Sequence, residues 1–233
     1  MQNKYSLVLP CYNELENLKL LIPQFLKILK NKNYQIIIVD DNSEDQTIIK
    51  LRDKFKKNKS IKYILRKKNR SLGLSIKDGI IKSSGNIIIV MDTDFNHRPS
   101  DLKKMIYIFE NKNFDMICGS RFLKGGSSNT FFRHFCSLIF NFFVNFLTGG
   151  KLSDNLSGFF IIKKKHLIGK LDKIFYGYGD FYIRLLYFVQ KINISILDFP
   201  VKYNLRKYGQ SKSKLVRMLV SYTIETIKLK IKY

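Results

Sequence analysis

Asp92 and Asp94 carry the most informative chemistry in the chain, because they are two carboxylates that follow a hydrophobic run directly. Side chains at positions i and i+2 of an extended backbone point to the same side. Two carboxylates placed in this way can hold a hard divalent cation and leave positions open for substrate phosphates. The pattern suits an enzyme that breaks a nucleotide diphosphate bond, although taken alone it also fits a turn with two solvated aspartates.

The first half of the chain alternates hydrophobic runs with amphipathic segments, which predicts alternating strands and helices. Asn13 and Glu16 have the spacing of a capping box at the start of the first helix. The predicted strands cover 5–9, 36–39, 61–65, 87–91 and 116–118, and later helices cover 47–56, 72–82 and 99–110. Such an order favours an α/β fold, a mostly parallel Rossmann-like sheet with helices on both faces.

Three polar clusters directly follow predicted strands, at residues 10–14, 40–41 and 92–94. Ligands of parallel α/β sheets bind outside the carboxyl ends of the strands. We therefore expect the three clusters to meet at one edge of the sheet, although they are far apart in the sequence.

The composition bounds the class of protein. Hydrophobic residues make up 45% of the 233 residues. This content is enough for one domain with a hydrophobic core and argues against a disordered chain. The formal net charge is +24, but Lys outnumbers Arg 33 to 9, so the charge is partly compositional and a nucleic-acid partner is not expected. Three cysteines without metal-type spacing are expected to be free thiols in a reducing compartment, and the N-terminus shows no signal peptide.

The second half differs in character. Residues 131–148 are rich in Phe, but their uninterrupted hydrophobic part is shorter than the roughly 20 residues that span a bilayer. We predict an amphipathic helix in the membrane interface, with a helix buried under the sheet as the alternative. Residues 212–232 predict a basic C-terminal helix. No repeat or linker is evident, so residues 1–233 are predicted to form a single domain.

The motifs, taken in order, resemble those of family 2 glycosyltransferases with the GT-A fold, and among them the polyprenyl-phosphate (dolichol-phosphate) mannose synthase group. The resemblance runs from Ser6 to about Leu215. It rests on these segments: LPCYNE at 9–14, VDDNS at 39–43, Gly73-Leu74 with Gly79, DTD at 92–94, GSRF at 119–122, DNLSGF at 154–159 and RKYGQSK at 206–212.

The resemblance implies a role for each matching residue. It assigns the nucleotide sugar to Pro10, Tyr12, Glu14, Val39, Asp40, Asp92, Asn96 and Ser211, with Asp40 facing the base. It assigns Mg²⁺ or Mn²⁺ to Asp92 and Asp94, and the acceptor phosphate to Arg121, Arg133 and Ser137. The residues expected to act in catalysis are Asp94, Arg121, Arg206 and Lys212.

Plainer interpretations stay open for several of these positions. Pro10 and Tyr12 also fit a simple turn, and Arg121 also fits a surface ion pair. Arg133 also fits an arginine at the membrane interface whose charged end reaches water. The 206–212 loop also fits a basic linker to the last helix. Asn96 stands where the family usually has Gln, and Phe160 stands where it frequently has Arg. Because both positions are expected near the sugar, the motifs do not determine which sugar is transferred.

The resemblance implies metal-dependent, inverting transfer of a hexose onto a polyprenyl monophosphate. The favoured hexose is mannose, with GDP-mannose as its donor. Residues 1–120 would bind the nucleotide sugar and residues 121–233 the acceptor. A phosphate monoester is largely dianionic at neutral pH and needs no strong base, which agrees with the scatter of His97, His134 and His166 along the chain. We expect a peripheral enzyme on the cytoplasmic face of the membrane, working with a separate transmembrane subunit.

Two other functions remain open at this point. One is a transferase of the same fold that uses UDP-glucose or another UDP-sugar with a lipid acceptor. The other is a non-catalytic basic protein that binds membranes or nucleic acid, supported by the net charge of +24. The paired carboxylates argue against the second function, because a binding module does not need them.

Overall fold

The computed structural model of the chain describes residues 3–127, 131–209 and 215–232, with the backbone alone for 131–133 and 215–217. Its centre is a seven-stranded sheet with strand order β3-β2-β1-β4-β6-β5-β7. The strands are β1 (Lys4–Cys11), β2 (Asn33–Asp40), β3 (Ile61–Leu65), β4 (Ile87–Val90), β5 (Met116–Ser120), β6 (Phe160–Lys163) and β7 (Ile196–Pro200). β6 runs antiparallel to β4 and β5, and the other neighbouring strands pair in parallel.

Helices cover both faces of the sheet. They are α1 (Leu15–Leu29), α2 (Thr47–Lys54), α3 (Leu72–Lys82), α4 (Pro99–Asn111), α5 (Phe131–Thr148), α6 (Leu171–Ile174), α7 (Asp180–Lys191) and α8 (Leu215–Lys232), with a short 3-10 turn at Lys164–Leu167. The α/β fold with a mostly parallel sheet, predicted from the order of hydrophobic runs, is confirmed.

The two faces of the sheet bury separate hydrophobic clusters, because successive side chains of a strand point to opposite sides. On one face Leu7 and Leu9 of β1 pack with α1 and α4. On the other face Val8 packs with α3, α6 and α7. The strands in the middle are therefore hydrophobic on both sides, which explains their uninterrupted runs in the sequence.

Gly79 lets α3 lie directly on β1. A Cβ at this position would lie 2.4 Å from Cγ1 of Val8, closer than side-chain carbons approach. At Gly73, in the first turn of the same helix, a Cβ would lie 2.4 Å from the carbonyl oxygen of Tyr176. These two close approaches fix the position of α3, whose first turns form one wall of the site described below.

A third cluster joins α5, α7 and α8 beside the sheet, with Val144, Ile183 and Tyr222 in its centre. Arg184 of α7 is buried there and donates to the carboxylates of Asp180 (2.8 Å) and Glu225 (2.9 Å). Since an unpaired charge in such a place costs several kcal/mol, about 3–5 when one partner is removed, this ion pair helps to fix α8 against the rest of the chain.

Some local predictions were wrong. The first helix begins at Leu15 after Glu14, and the predicted cap Asn13 has a left-handed backbone (φ 54°) and lies outside the helix. The side-chain oxygen of Asn13 instead accepts from the backbone N–H of Glu44 (2.8 Å), and Asp45 accepts from the N–H of Leu15 (3.2 Å). Contacts with the loop after β2 thus replace a local capping box.

The second half follows the predicted elements closely. The helix predicted at 131–148 has those bounds in the structure. The C-terminal helix predicted at 212–232 is seen from Leu215 to Lys232, and its predicted first residues, 212–214, lie outside the described residues. The three cysteines, all of them described residues, are not joined by a disulfide, and Cys11 and Cys118 are buried.

Candidate functional site

A cavity of about 580 Å³ opens at the carboxyl edge of the sheet. Its walls come from the loops after β1, β2 and β4, the start of α3, the segments 156–158 and 178–181, and Met218 and Tyr222 of α8. The predicted meeting of the three polar clusters is confirmed, since each contributes residues to this cavity. The C-terminal helix also forms part of the wall, which the sequence did not indicate.

Asp92 and Asp94 lie in the turn between β4 and α4 and both line the cavity. β4 ends at Val90, earlier than predicted, and residues 93–97 form a bend in which Phe95 has a left-handed backbone (φ 70°). The Asp94 carboxylate accepts from the backbone N–H (3.0 Å) and the side-chain amide (2.9 Å) of Asn96. Asn96 therefore holds the orientation of Asp94 from within the same turn.

Arg206 connects the two sides of the cavity. Its guanidinium donates to Glu14 after β1 (2.9 Å) and to Asp94 (2.7 Å). Backbone contacts hold the same loop over the site, with the N–H of Asn204 donating to the carbonyl of Asn96 (3.2 Å). A fixed cation beside the paired carboxylates is the arrangement expected where a diphosphate binds.

The electrostatics of the cavity are unbalanced at Asp92. Burial, together with the neighbouring negative charge of Asp94, raises the pKa of Asp92 to about 8, and Arg206 and Arg121 offset only part of this. The ionised form of Asp92 is therefore disfavoured, and a cation bound beside the two aspartates would favour it. The hard oxygen donors of the two aspartates fit Mg²⁺ or Mn²⁺.

Two consecutive aspartates, Asp40 and Asp41, lie where β2 ends. Asp40 is the last residue of β2 and accepts from the backbone N–H of Ser43 (2.9 Å), whereas its neighbour Asp41 lines the cavity. Asp41 is paired with Arg66, and burial raises its pKa even though the N–H of Ser71 and Arg66 act against this rise. Val39 is buried within the core cluster on the α3 face.

Pro10 and Tyr12 line the same end of the cavity. The guanidinium of Arg70 lies 3.6 Å from the centre of the Tyr12 ring, and the Tyr12 hydroxyl donates to Glu44 (2.8 Å). A flat, stacked pair of side chains at this position offers a surface of the kind on which a planar base can lie. Arg70 was not singled out from the sequence, because its partner Tyr12 is far from it in the chain.

His97 is buried behind the Asp92–Asp94 turn. Its Nδ1 accepts from the backbone N–H of Asp92 (2.9 Å), and its Nε2 lies 2.6 Å from the Tyr203 hydroxyl and 3.2 Å from the carbonyl of Ser157. Burial lowers the pKa of His97 to about 4, so the ring is neutral at physiological pH. The sequence had singled out no role for this histidine, since its partners are a backbone group and a tyrosine far along the chain.

Arg121 is held in a buried ion pair. It donates through Nε (2.7 Å) and a terminal nitrogen (2.8 Å) to the carboxylate of Asp154, which is fully buried. Burial alone lowers the pKa of Arg121, but Asp154 more than compensates and raises it above its usual value. The guanidinium also lies 4.9 Å from the ring of Tyr203, one of the cavity residues.

Other predicted acceptor and donor residues are described incompletely. Ser211 and Lys212 lie outside the described residues, and of Arg133 the structure describes the backbone alone. Ser137 lies half-buried on α5, where its carbonyl accepts from Asn141 (2.7 Å). Their assigned roles therefore stay predictions.

Fold and cavity together define the class: an α/β protein with paired carboxylates, a fixed arginine and a stacking surface at the carboxyl edge of its sheet. The sequence profile of "Glycosyl transferase family 2" matches residues 6–169. The chain belongs to this family, and the predicted class of protein is confirmed.

Two relatives with assigned activities match most of the chain. The chain is 31% identical over 91% of its length to a dolichol-phosphate mannosyltransferase of Pyrococcus furiosus, of which it covers 59%. It is 26% identical over 85% of its length to a dolichyl-phosphate beta-glucosyltransferase of Mus musculus, of which it covers 66%. The chain thus spans about three fifths to two thirds of the length of these relatives.

Solved structures confirm the fold. Glucosyl-3-phosphoglycerate synthase from Mycobacterium tuberculosis, in complex with Mn²⁺, UDP and glucosyl-3-phosphoglycerate, superposes with a TM-score of 0.74. The alignment covers 97% of this chain and 80% of that protein, at 14% identity. The GT-A architecture predicted from the motifs is therefore correct.

Proposed function

We propose that the protein transfers a hexose from a nucleotide sugar to a polyprenyl monophosphate at a membrane surface. The observation that supports this most directly is the cavity in which Asp92, Asp94 and Arg206 meet. Family membership supplies the reaction class, and the dolichol-phosphate relatives suggest the lipid acceptor. Residues 1–120, together with Arg206, would then hold the donor, and the rest of residues 121–233 the acceptor.

The donor end of the reaction uses charge that is already in place. Tyr12 and Arg70 offer a surface for the base. Arg206 lies beside the position expected for the diphosphate. Asp92 and Asp94 would hold Mg²⁺ or Mn²⁺, which when bound neutralises the charge that develops on the leaving nucleotide. As the bond to the anomeric carbon breaks, Arg206 gains attraction to the departing diphosphate without having to reorganise.

The acceptor would attack from the side of the segments 156–158 and 178–181. Its phosphate oxygen is already ionised, so no histidine is needed as a general base. Buried Arg121 lies near this side, and its charge offsets part of the rise in the pKa of Asp92. Arg133 and Ser137, on the first turns of α5, remain our candidates for contact with the acceptor phosphate.

Membrane association would come from α5. Its side chains Phe135, Ile139, Phe142 and Phe146 are exposed, the last two at 75% and 76%. Within the described parts of the chain, none of the helices has the length and hydrophobicity to cross a bilayer. We propose that this exposed side enters the lipid interface, peripherally on the cytoplasmic face, with a separate transmembrane subunit as a further candidate partner.

The donor is the least constrained part of the proposal. The comparison with the mannosyltransferase favours GDP-mannose, and the comparison with the glucosyltransferase favours UDP-glucose as the second candidate. The test is incubation with a polyprenyl phosphate, Mn²⁺ and a panel of labelled sugar nucleotides, followed by extraction and mass spectrometry of the lipid. A labelled polyprenyl-phosphate sugar is expected; no product with any donor in the panel contradicts the proposal.

A charge on the exposed side of α5 tests the membrane step separately. Phe142→Asp is expected to reduce flotation with vesicles that contain anionic lipid by about tenfold, since burying one aromatic side chain contributes roughly 1.5–3 kcal/mol. Tyr107→Asp is the matched control, because Tyr107 is 67% exposed on α4. Equal flotation of the two variants would show that α5 does not contact the lipid.

A further inference from the structure

His97 is the one buried histidine behind the cavity, among the described residues, whose ring bonds to both of its walls. One nitrogen contacts the backbone of the Asp92–Asp94 turn, and the other contacts Ser157 and Tyr203 on the opposite side. The ring is stacked on Phe159 at a centroid distance of 4.7 Å, so it has little freedom to turn. The family match does not by itself assign any task to this side chain.

The hydrogen bonds define which nitrogen carries the proton. Because the N–H of Asp92 donates to Nδ1, that nitrogen carries no hydrogen and the proton lies on Nε2. The Nε2–H can then donate to the Tyr203 hydroxyl at 2.6 Å, while that hydroxyl donates to the carbonyl of Ser157, also at 2.6 Å. Every polar group in this chain of contacts therefore has a partner.

The two ring nitrogens contact different parts of the cavity. Nδ1 accepts from the peptide N–H that begins the carboxylate turn, and the Asp92 carboxylate itself lies 3.8 Å from Nε2. On the other side the contacts reach the 156–158 segment and Tyr203, which lies three residues before Arg206. One rigid ring thus sets the distance between the carboxylates and the wall that faces them.

We propose that His97 is a positioning residue, which orients Asp92 for the metal through Nδ1 and holds the facing wall of the cavity through Nε2. The inference rests on the proposed function, since it concerns the same cavity. It goes beyond that function by giving the two ring nitrogens separate tasks. Groups that orient metal ligands in this way change metal affinity or activity by about 10–100-fold when they are removed.

Two substitutions separate the tasks. In His97→Asn the amide oxygen replaces Nδ1 and keeps the acceptor for the N–H of Asp92, but the contacts of Nε2 are lost. In His97→Gln the amide nitrogen replaces Nε2 and keeps the contact with Tyr203, but the acceptor for Asp92 is lost. Phe159→Leu is the packing control, because it removes the ring beneath His97 and leaves both hydrogen bonds in place.

The measurement is Mn²⁺ affinity by calorimetry, on protein saturated with GDP and in parallel with UDP, together with the melting temperature and the transfer rate. We expect His97→Gln to weaken Mn²⁺ binding at least about tenfold. For His97→Asn we expect Mn²⁺ affinity within about threefold of wild type but a transfer rate lowered about tenfold. Phe159→Leu is expected to lower the melting temperature by a few degrees with unchanged Mn²⁺ affinity.

The outcomes are distinguishable. Equal Mn²⁺ affinity in the wild type and in both His97 variants overturns the inference, and so does a parallel loss in Gln, Asn and Phe159→Leu variants, which would indicate a packing role. If His97→Gln does not fold, the Asn variant decides, because a purely structural histidine predicts an unchanged transfer rate per folded molecule. Absence of Mn²⁺ binding in the wild type itself would instead contradict the proposed function.

Discussion

Charged side chains lie at both edges of the sheet, and the pKa of a carboxyl group shifts in opposite directions at the two edges. At the carboxyl edge, burial and the neighbouring Asp94 raise the pKa of Asp92 to about 8. At the amino edge, Asp115 precedes β5 and accepts from Lys163 (3.0 Å) and His166 (3.1 Å). Burial opposes the shift there, but these hydrogen bonds lower the pKa of Asp115 to about 2.

The difference separates a group arranged for stability from a group arranged for binding. Asp115 has cations within reach and contributes to folding as it stands. Asp92 and Asp94 share a cavity in which the nearest cation, Arg206, is already bonded to Asp94 and to Glu14. At the carboxyl edge the ionised form of Asp92 is therefore disfavoured until a divalent ion binds, whereas at the amino edge the ionised form of Asp115 is favoured without one.

The largest effect is expected from removing a carboxylate at the carboxyl edge. Asp94→Asn should lower metal-dependent transfer by about a thousandfold or more, because the metal and Arg206 both lose their partner. The melting temperature should fall little, since a repulsion is removed together with the ion pair. The measurement is transfer rate with Mn²⁺, compared with Asp115→Asn as the same change of charge at the other edge.

Asp115→Asn is the control for Asp94→Asn. Asp115→Asn should transfer sugar at the wild-type rate per folded molecule. Wild-type transfer by Asp94→Asn, or an equal loss in both variants, would mean that the carboxyl edge has no special role.

A smaller effect is expected from Asp115 on stability. Since its folded pKa lies below the unfolded value of 3.8, its ionised form stabilises the folded state above that pH, and the contribution is lost as the pH falls towards 2. Asp115→Asn should thus lower the free energy of unfolding by about 1–2 kcal/mol at pH 7. Denaturant titrations of both proteins between pH 7 and pH 2 should show the difference disappearing at the acid end.

The pH series also contains its own check. A difference between the two proteins that stays constant down to pH 2 would assign the effect to packing. Added salt at 1 M should reduce the difference at pH 7, because the pair is partly exposed.

The sequence predicted the elements of the first half well, because its strands are hydrophobic on both sides and its helices have a clear stripe. β3 (Ile61–Leu65) and α3 (Leu72–Lys82) have the predicted bounds. Placing the polar clusters after parallel strands was then enough to predict that they meet. Local rules failed where a tertiary contact replaced them, as at Asn13, whose side chain bonds to the loop after β2.

The details of the cavity could not be predicted in the same way. Two adjacent aspartates, Asp40 and Asp41, look alike in the sequence, and the structure decides that Asp41 lines the cavity while Asp40 bonds to Ser43. The contact of Arg206 with Glu14 joins residues 192 positions apart. His97 bonds to a backbone carbonyl and a tyrosine, which leave no spacing signal of the kind that metal or catalytic histidines give.

The smallest effect is expected from Asp92, whose pKa is raised at the carboxyl edge. Asp92→Asn removes a carboxyl group whose ionised form is disfavoured by burial and by Asp94. At pH 7 the melting temperature without metal should therefore rise by about 2–4 °C, the shift that roughly 1 kcal/mol gives in a chain of this size. Mn²⁺ with GDP should raise the melting temperature of the wild type but not of this variant, since a ligand stabilises only what it binds. Asp172→Asn, at a side chain that is 90% exposed, is the control that should change neither value. A lower melting temperature for Asp92→Asn, with an undiminished response to Mn²⁺, would show that Asp92 stabilises the fold as Asp115 does and does not hold the metal.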